Sequence, residues 1–152
     1  MLIVATVFLP LIAVRLHYEL LLLTSKLILA LSGPLRAGVA LAVVMALLAH
    51  VVEVIVFGVG WFLLIRAGLV EIALSAPTMI DAIYFSGSVY TSLGFGDIVP
   101  VSSSGKFLAV LESVTGLVLI AWTASFTFYQ MQRHWIQDES PDANPRETSG
   151  GS

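Results

Sequence analysis

The sequence predicts an all-α membrane protein built from an N-terminal helix, two long spanning helices and a short re-entrant helix with a loop between them. Three observations point there. The 152 residues are 58% apolar and only 11% charged, with a mean hydropathy of +0.97, a composition suited to lipid rather than water. Two apolar runs are each long enough to cross a bilayer. Between them lies Thr91-Ser92-Leu93-Gly94-Phe95-Gly96-Asp97, too polar and glycine-rich to continue either run.

The N-terminal segment, residues 1–33, is apolar up to Val14 and then carries Arg15, Glu19 and Lys26 on one helical face. It either spans the membrane with its N-terminus outside or lies partly in the interface, and Pro10 is a possible kink. No charged stretch precedes the apolar run and no Ala-x-Ala site follows it, so a cleaved signal peptide is not expected. Ser32-Gly33-Pro34 ends the segment. An outer helix over 38–65 is interrupted only by His50 and Glu53 and reaches about 42 Å, enough to cross a core of about 30 Å with tilt.

Ser75-Ala76-Pro77-Thr78 reads as a break followed by a helix start. The short helix over 79–91 cannot span, and the loop 92–97 and Pro100 follow it. An inner helix over 104–135 contains Glu112 and ends near Trp135, a residue suited to the membrane–water boundary. Residues 136–152 read as a disordered polar tail. Asp138, Glu139, Asp142 and Glu147 against Arg146 account for the whole net charge of −3, leaving residues 1–137 balanced. No basic nucleic-acid patch is present, and the absence of cysteine excludes disulfides and thiolate metal sites.

Orientation follows from basic residues near span ends: Arg15, Lys26, Arg36 and Arg133 on one side, Arg66 and Lys106 on the other. The first side, with the C-terminus, is then cytoplasmic and the glycine loop faces out.

Irregular backbone at membrane depth survives only when packed in protein or lining a wet cavity. Glycines at alternate positions, Gly94 and Gly96, can take angles closed to other residues and turn successive carbonyl oxygens one way. A ring of such oxygens from several chains can replace the hydration shell of a cation.

From Tyr84 to Asp97 the chain resembles the pore helix and selectivity filter of potassium channels, whose filter usually reads Thr-Val-Gly-Tyr-Gly-Asp. Pro100, Gly105-Lys106 and Thr115-Gly116-Leu117 continue the likeness, which covers roughly 82–117. The layout resembles small bacterial channels of the two-helix pore class, and it implies a homotetrameric pore-domain channel in a bacterial inner membrane. The resemblance implies potassium ions at the main-chain carbonyls of Ser92, Leu93, Gly94 and Phe95. It also implies Gly96 at the mouth and support from Thr91, Asp97, Tyr84 and Ser88. It implies no cofactor beyond the permeant ion and no catalytic residues. Ser92, Leu93 and the Tyr84-Phe85 pair depart from the usual threonine, valine and tryptophan pair. They leave open a weakly selective monovalent cation channel as the alternative to a potassium-selective one.

Gly94-Phe95-Gly96-Asp97 also fits the Gly-x-Gly-Asp of intramembrane aspartyl proteases, but Asp81, Asp138 and Asp142 all lie outside spanning runs. A non-conducting adaptor would leave the loop without a purpose. His50, Glu53 and Glu112 are ionisable within spans and need partners or water. Either they bond to Ser88, Tyr84 or the N-terminal segment, or their protonation makes conduction sensitive between about pH 5 and 8. Gly116 is either a hinge or a close-packing position. Ser125, Phe128 and Gln132 are candidates for an inner constriction that gates by dewetting. Trp61 and Trp122 read as lipid anchors or packing residues. No arginine-repeat helix indicates a voltage sensor, and the short tail leaves no room for a ligand-binding domain.

Overall fold

A computed structural model of the chain describes residues 2–30 and 35–138, so the Ser32-Gly33-Pro34 break and most of the expected tail lie outside the described residues. Among the described residues four helices form: α1 (Leu2–Ala30), α2 (Leu35–Arg66), α3 (Met79–Tyr90) and α4 (Ser103–Asp138). Three are long and apolar enough to cross a membrane, over Thr6–Ala30, Ala37–Arg66 and Ser103–Gln132. The fourth, α3, has 12 residues, or about 18 Å, and cannot. The protein is a multi-pass membrane protein of the all-α class.

α1 is a single helix that runs through Pro10. Its buried residues Ala13, His17, Leu21 and Thr24 recur every three or four positions, which places them on one stripe. That stripe lies antiparallel on α2. A methyl group added at Gly60 would meet Leu9, Ala13 clusters with Phe57, and His17 bonds Glu53. Arg15 therefore sits beside the middle of α2 rather than at a span end. Contrary to the sequence expectation, Arg15 is not a flanking charge, and the orientation rests on the other basic residues. Its guanidinium pairs with Glu19 at 2.8 Å on the exposed face.

Thr78 starts α3. Its hydroxyl accepts from the Asp81 amide, and the Asp81 carboxylate accepts from the Thr78 amide, a reciprocal cap that satisfies two otherwise orphaned donors. The loops on either side of the re-entrant unit are pinned to each other. The Ala73 amide donates to the Val99 carbonyl at 2.8 Å and the Val101 amide to the Glu71 carbonyl at 2.9 Å. Beneath them Trp61, Leu64, Ala82, Phe85 and Leu108 form one apolar core, with Trp61 edge-on to Phe85. A smaller core of Ala13, Phe57, Tyr90 and Leu119 lies at the other end of α3.

Candidate functional site

Residues four apart share a helix face, and α3 uses two opposite faces. Ala82, Ser86 and Tyr90 are buried against the bundle. Tyr84 and Ser88 lie on the other side, where each holds the loop. Tyr84 donates its hydroxyl to Asp97 at 2.8 Å, and its ring stacks on Phe95 with centroids 6.0 Å apart. The Ser88 hydroxyl accepts from the Phe95 amide at 3.1 Å, and the Ser88 carbonyl accepts from the Gly94 amide at 3.1 Å. Thr91 donates its hydroxyl to the Gly87 carbonyl at 2.7 Å, closing α3.

Ser92, Gly94 and Gly96 all take positive φ, at 59°, 56° and 80°, while Leu93 and Phe95 do not. In an ordinary strand successive carbonyls point to opposite sides; alternating the sign of φ brings them to the same side. Gly94 and Gly96 adopt this geometry without steric cost, whereas Ser92 carries strain of about 1–2 kcal/mol. The Ser92 hydroxyl lies 2.8 Å from that of Ser113 on α4. Leu93 and Phe95 are 67% and 63% exposed on the single chain, so the loop's outer face has no cover of its own.

The Tyr84 hydroxyl holds the Asp97 carboxyl below its usual range, and the same bond pushes the phenol up. Asp81 is lowered by the Thr78 hydroxyl and amide.

The intramembrane acids are fully buried and partnered. Glu53 meets His17 Nδ1 at 2.7 Å and His50 Nδ1 at 3.0 Å, and it accepts from the Tyr90 hydroxyl. Glu112 accepts from Trp61 Nε1 at 2.5 Å and meets Ser86 Oγ at 2.5 Å. Neither acid bonds to Ser88 or Tyr84, because those residues occupy the loop-facing side of α3. Trp61 is buried and serves Glu112, so it is not a lipid anchor.

Gly116 lies where α4 crosses the end of α3, and α4 continues through it without a break. Ser125, Phe128 and Gln132 are exposed on the later turns of α4, well separated from the loop. Sequence reasoning missed His17, Ser86 and Ser113. A histidine between Arg15 and Glu19 of α1 was the available signal for His17; the two serines carry none.

A family model described as ion channel matches residues 49–133, which spans the second half of α2, the re-entrant unit and most of α4. An uncharacterized membrane protein of Bacillus subtilis, YdjJ, is 29% identical over 103 residues, covering 65% of this chain and 28% of that protein. The calcium-gated potassium channel TvoK of Thermoplasma volcanium is 40% identical over 52 residues, covering 34% of this chain and 15% of that protein. The chain thus spans less than a third of the length of either relative. No solved structure matches it.

Proposed function

The chain belongs to the ion channel family, in its two-helix potassium-channel-like class, and on that premise we propose that it is a subunit of a passive, potassium-selective channel. Four copies surround one axis, and each contributes its 92–97 loop. The main-chain oxygens of Ser92, Leu93, Gly94 and Phe95 replace water around a dehydrated potassium ion, and Gly96 lines the mouth. The observation that carries this is the alternation of φ at Ser92, Gly94 and Gly96.

Two further features support it. α3 ends at Tyr90, directly before the loop, so its negative dipole end favours a cation on the cavity side. Asp97 and Glu71 add negative charge at the mouth and concentrate cations there. Asp81 contributes less than its position suggests, since its carboxylate is engaged by the Thr78 cap. At the other end, Ser125, Phe128 and Gln132 would form the constriction. Neither an enzymatic step nor a cofactor belongs to this function. The C-terminus is cytoplasmic in a bacterial inner membrane, an orientation that rests on Lys26, Arg36 and Arg133 against Arg66 and Lys106.

The hydrogen bond between the Ser92 and Ser113 hydroxyls favours a second reading, a weakly selective monovalent cation channel, because it engages the hydroxyl that would complete the innermost ion site. Flux from liposomes containing purified protein separates the two. Barium-blocked potassium flux with negligible sodium flux supports selectivity; equal fluxes support the second reading. Folded protein that passes neither ion overturns both.

A further inference from the structure

Behind the loop, inside the bundle, His17 of α1 and His50 and Glu53 of α2 bring two ring nitrogens and a carboxylate oxygen within 4.8 Å of one another. The His17 and Glu53 side chains are fully buried and that of His50 is 19% exposed. Two more helices close the cluster. Tyr90 of α3 donates its hydroxyl to Glu53 and stands 3.0 Å from His50 Nδ1. Thr123 of α4 places its hydroxyl 3.2 Å from His17 Nε2 and 3.1 Å from His50 Nε2.

The hydrogens in this cluster do not cover its contacts. Thr123 has one hydroxyl hydrogen, so it donates to one Nε2 and must accept from the other. The imidazole that gives up its Nε2 hydrogen is left, when neutral, with a bare Nδ1 lone pair. That lone pair faces a carboxylate oxygen 2.7 Å away at His17 or 3.0 Å away at His50. An extra proton or a metal cation between them removes the conflict. The metal would meet two imidazole nitrogens and a carboxylate, a donor set suited to zinc. Zinc bonds of about 2.0–2.2 Å hold tetrahedral donors roughly 3.3 Å apart, and the nitrogen–oxygen separations here, 2.7 and 3.0 Å, lie close to that. Thr123, on the far nitrogen of both rings, makes the outer hydrogen bonds that orient metal-binding imidazoles.

We propose that His17, His50 and Glu53 form a buried binding site for a divalent transition-metal cation of the zinc type. Occupancy ties α1 to α2, and through Tyr90 it touches the helix that carries the loop. The site stands independently of whether the loop conducts.

The test uses the untagged full-length chain in detergent micelles, titrated with Co²⁺ alone. The expected result is about one ion per chain with the intense visible absorption of tetrahedral cobalt, displaced by Zn²⁺. His17→Gln and Glu53→Gln should each weaken binding by at least about tenfold. Because both positions are fully buried and their variants can fail to fold, the wild-type melting temperature is the second readout. It should rise with Zn²⁺ and not with Mg²⁺. Absence of the absorption together with no zinc-specific rise overturns the proposal. So does an absorption band that survives the substitutions at His17, His50 and Glu53.

Discussion

Gly116 faces the carbonyl oxygen of Tyr90 so closely that a methyl group added at Gly116 would lie 2.1 Å from it. Tyr90 cannot step aside easily, since its ring is buried and its hydroxyl is bonded to Glu53. Gly116→Ala should therefore destabilise the protein by at least about 1–3 kcal/mol, as overpacking against fixed backbone does. Gly87→Ala is the control, because its nearest neighbour is Val54 Cγ1 at 3.5 Å, an ordinary contact. Thermal unfolding should show a large loss for the first and none for the second. Equal effects would mean that α4 and α3 are not in this contact.

The Tyr84–Asp97 bond makes the loop's brace sensitive to pH at both extremes. A lowered carboxyl stabilises above its ordinary value of about 3.9, and that stability is lost as pH falls through the folded value. A raised phenol stabilises below about 10 and loses this as pH rises through its folded value. Ion flux in the wild type should fall when the mouth is acidified below about pH 4. Asp97→Asn should lack that acid step, and Tyr84→Phe should weaken the brace between the two extremes. An acid step unchanged in Asp97→Asn would show that another group sets it.

Ser86 has one hydroxyl hydrogen and two acceptors within reach, the Val54 carbonyl at 2.9 Å and Glu112 Oε1 at 2.5 Å. Glutamine at position 112 would donate to Ser86, freeing that hydroxyl for Val54, and would still accept from Trp61. Glu112→Gln should hold stability within about 1 kcal/mol, whereas Glu112→Ala should cost about 3 kcal/mol by leaving the buried Trp61 indole N–H unpaired and a cavity where the carboxylate stood. Chemical or thermal unfolding of the assembly decides it. A glutamine variant as unstable as the alanine one would contradict the hydrogen-bond assignment.

Ser92 holds a positive φ that a β-branched residue resists more strongly. Ser92→Thr should lower the melting temperature despite restoring the threonine usual in potassium channel filters. A rise would mean that the loop backbone changes on assembly.

The sequence made legible whatever is local. Apolar runs marked the spans, Ser75-Ala76-Pro77-Thr78 marked the start of α3, and the alternate glycines marked the loop. Each depends on neighbours a few residues apart. What it did not reveal depends on helix packing. His17 meets Glu53 only because α1 lies antiparallel on α2, and the same packing moves Arg15 from a span end to mid-helix. Likewise Glu112 finds Trp61 and Ser86 across three helices. No spacing within one helix encodes that.

The most direct test of the shared axis is a structure of the assembled protein determined in potassium. It should show four loops around a central conduit, with cation density between the main-chain oxygens of residues 92–96. The loop packed off-axis within one protomer, or an assembly without a conduit, would contradict it.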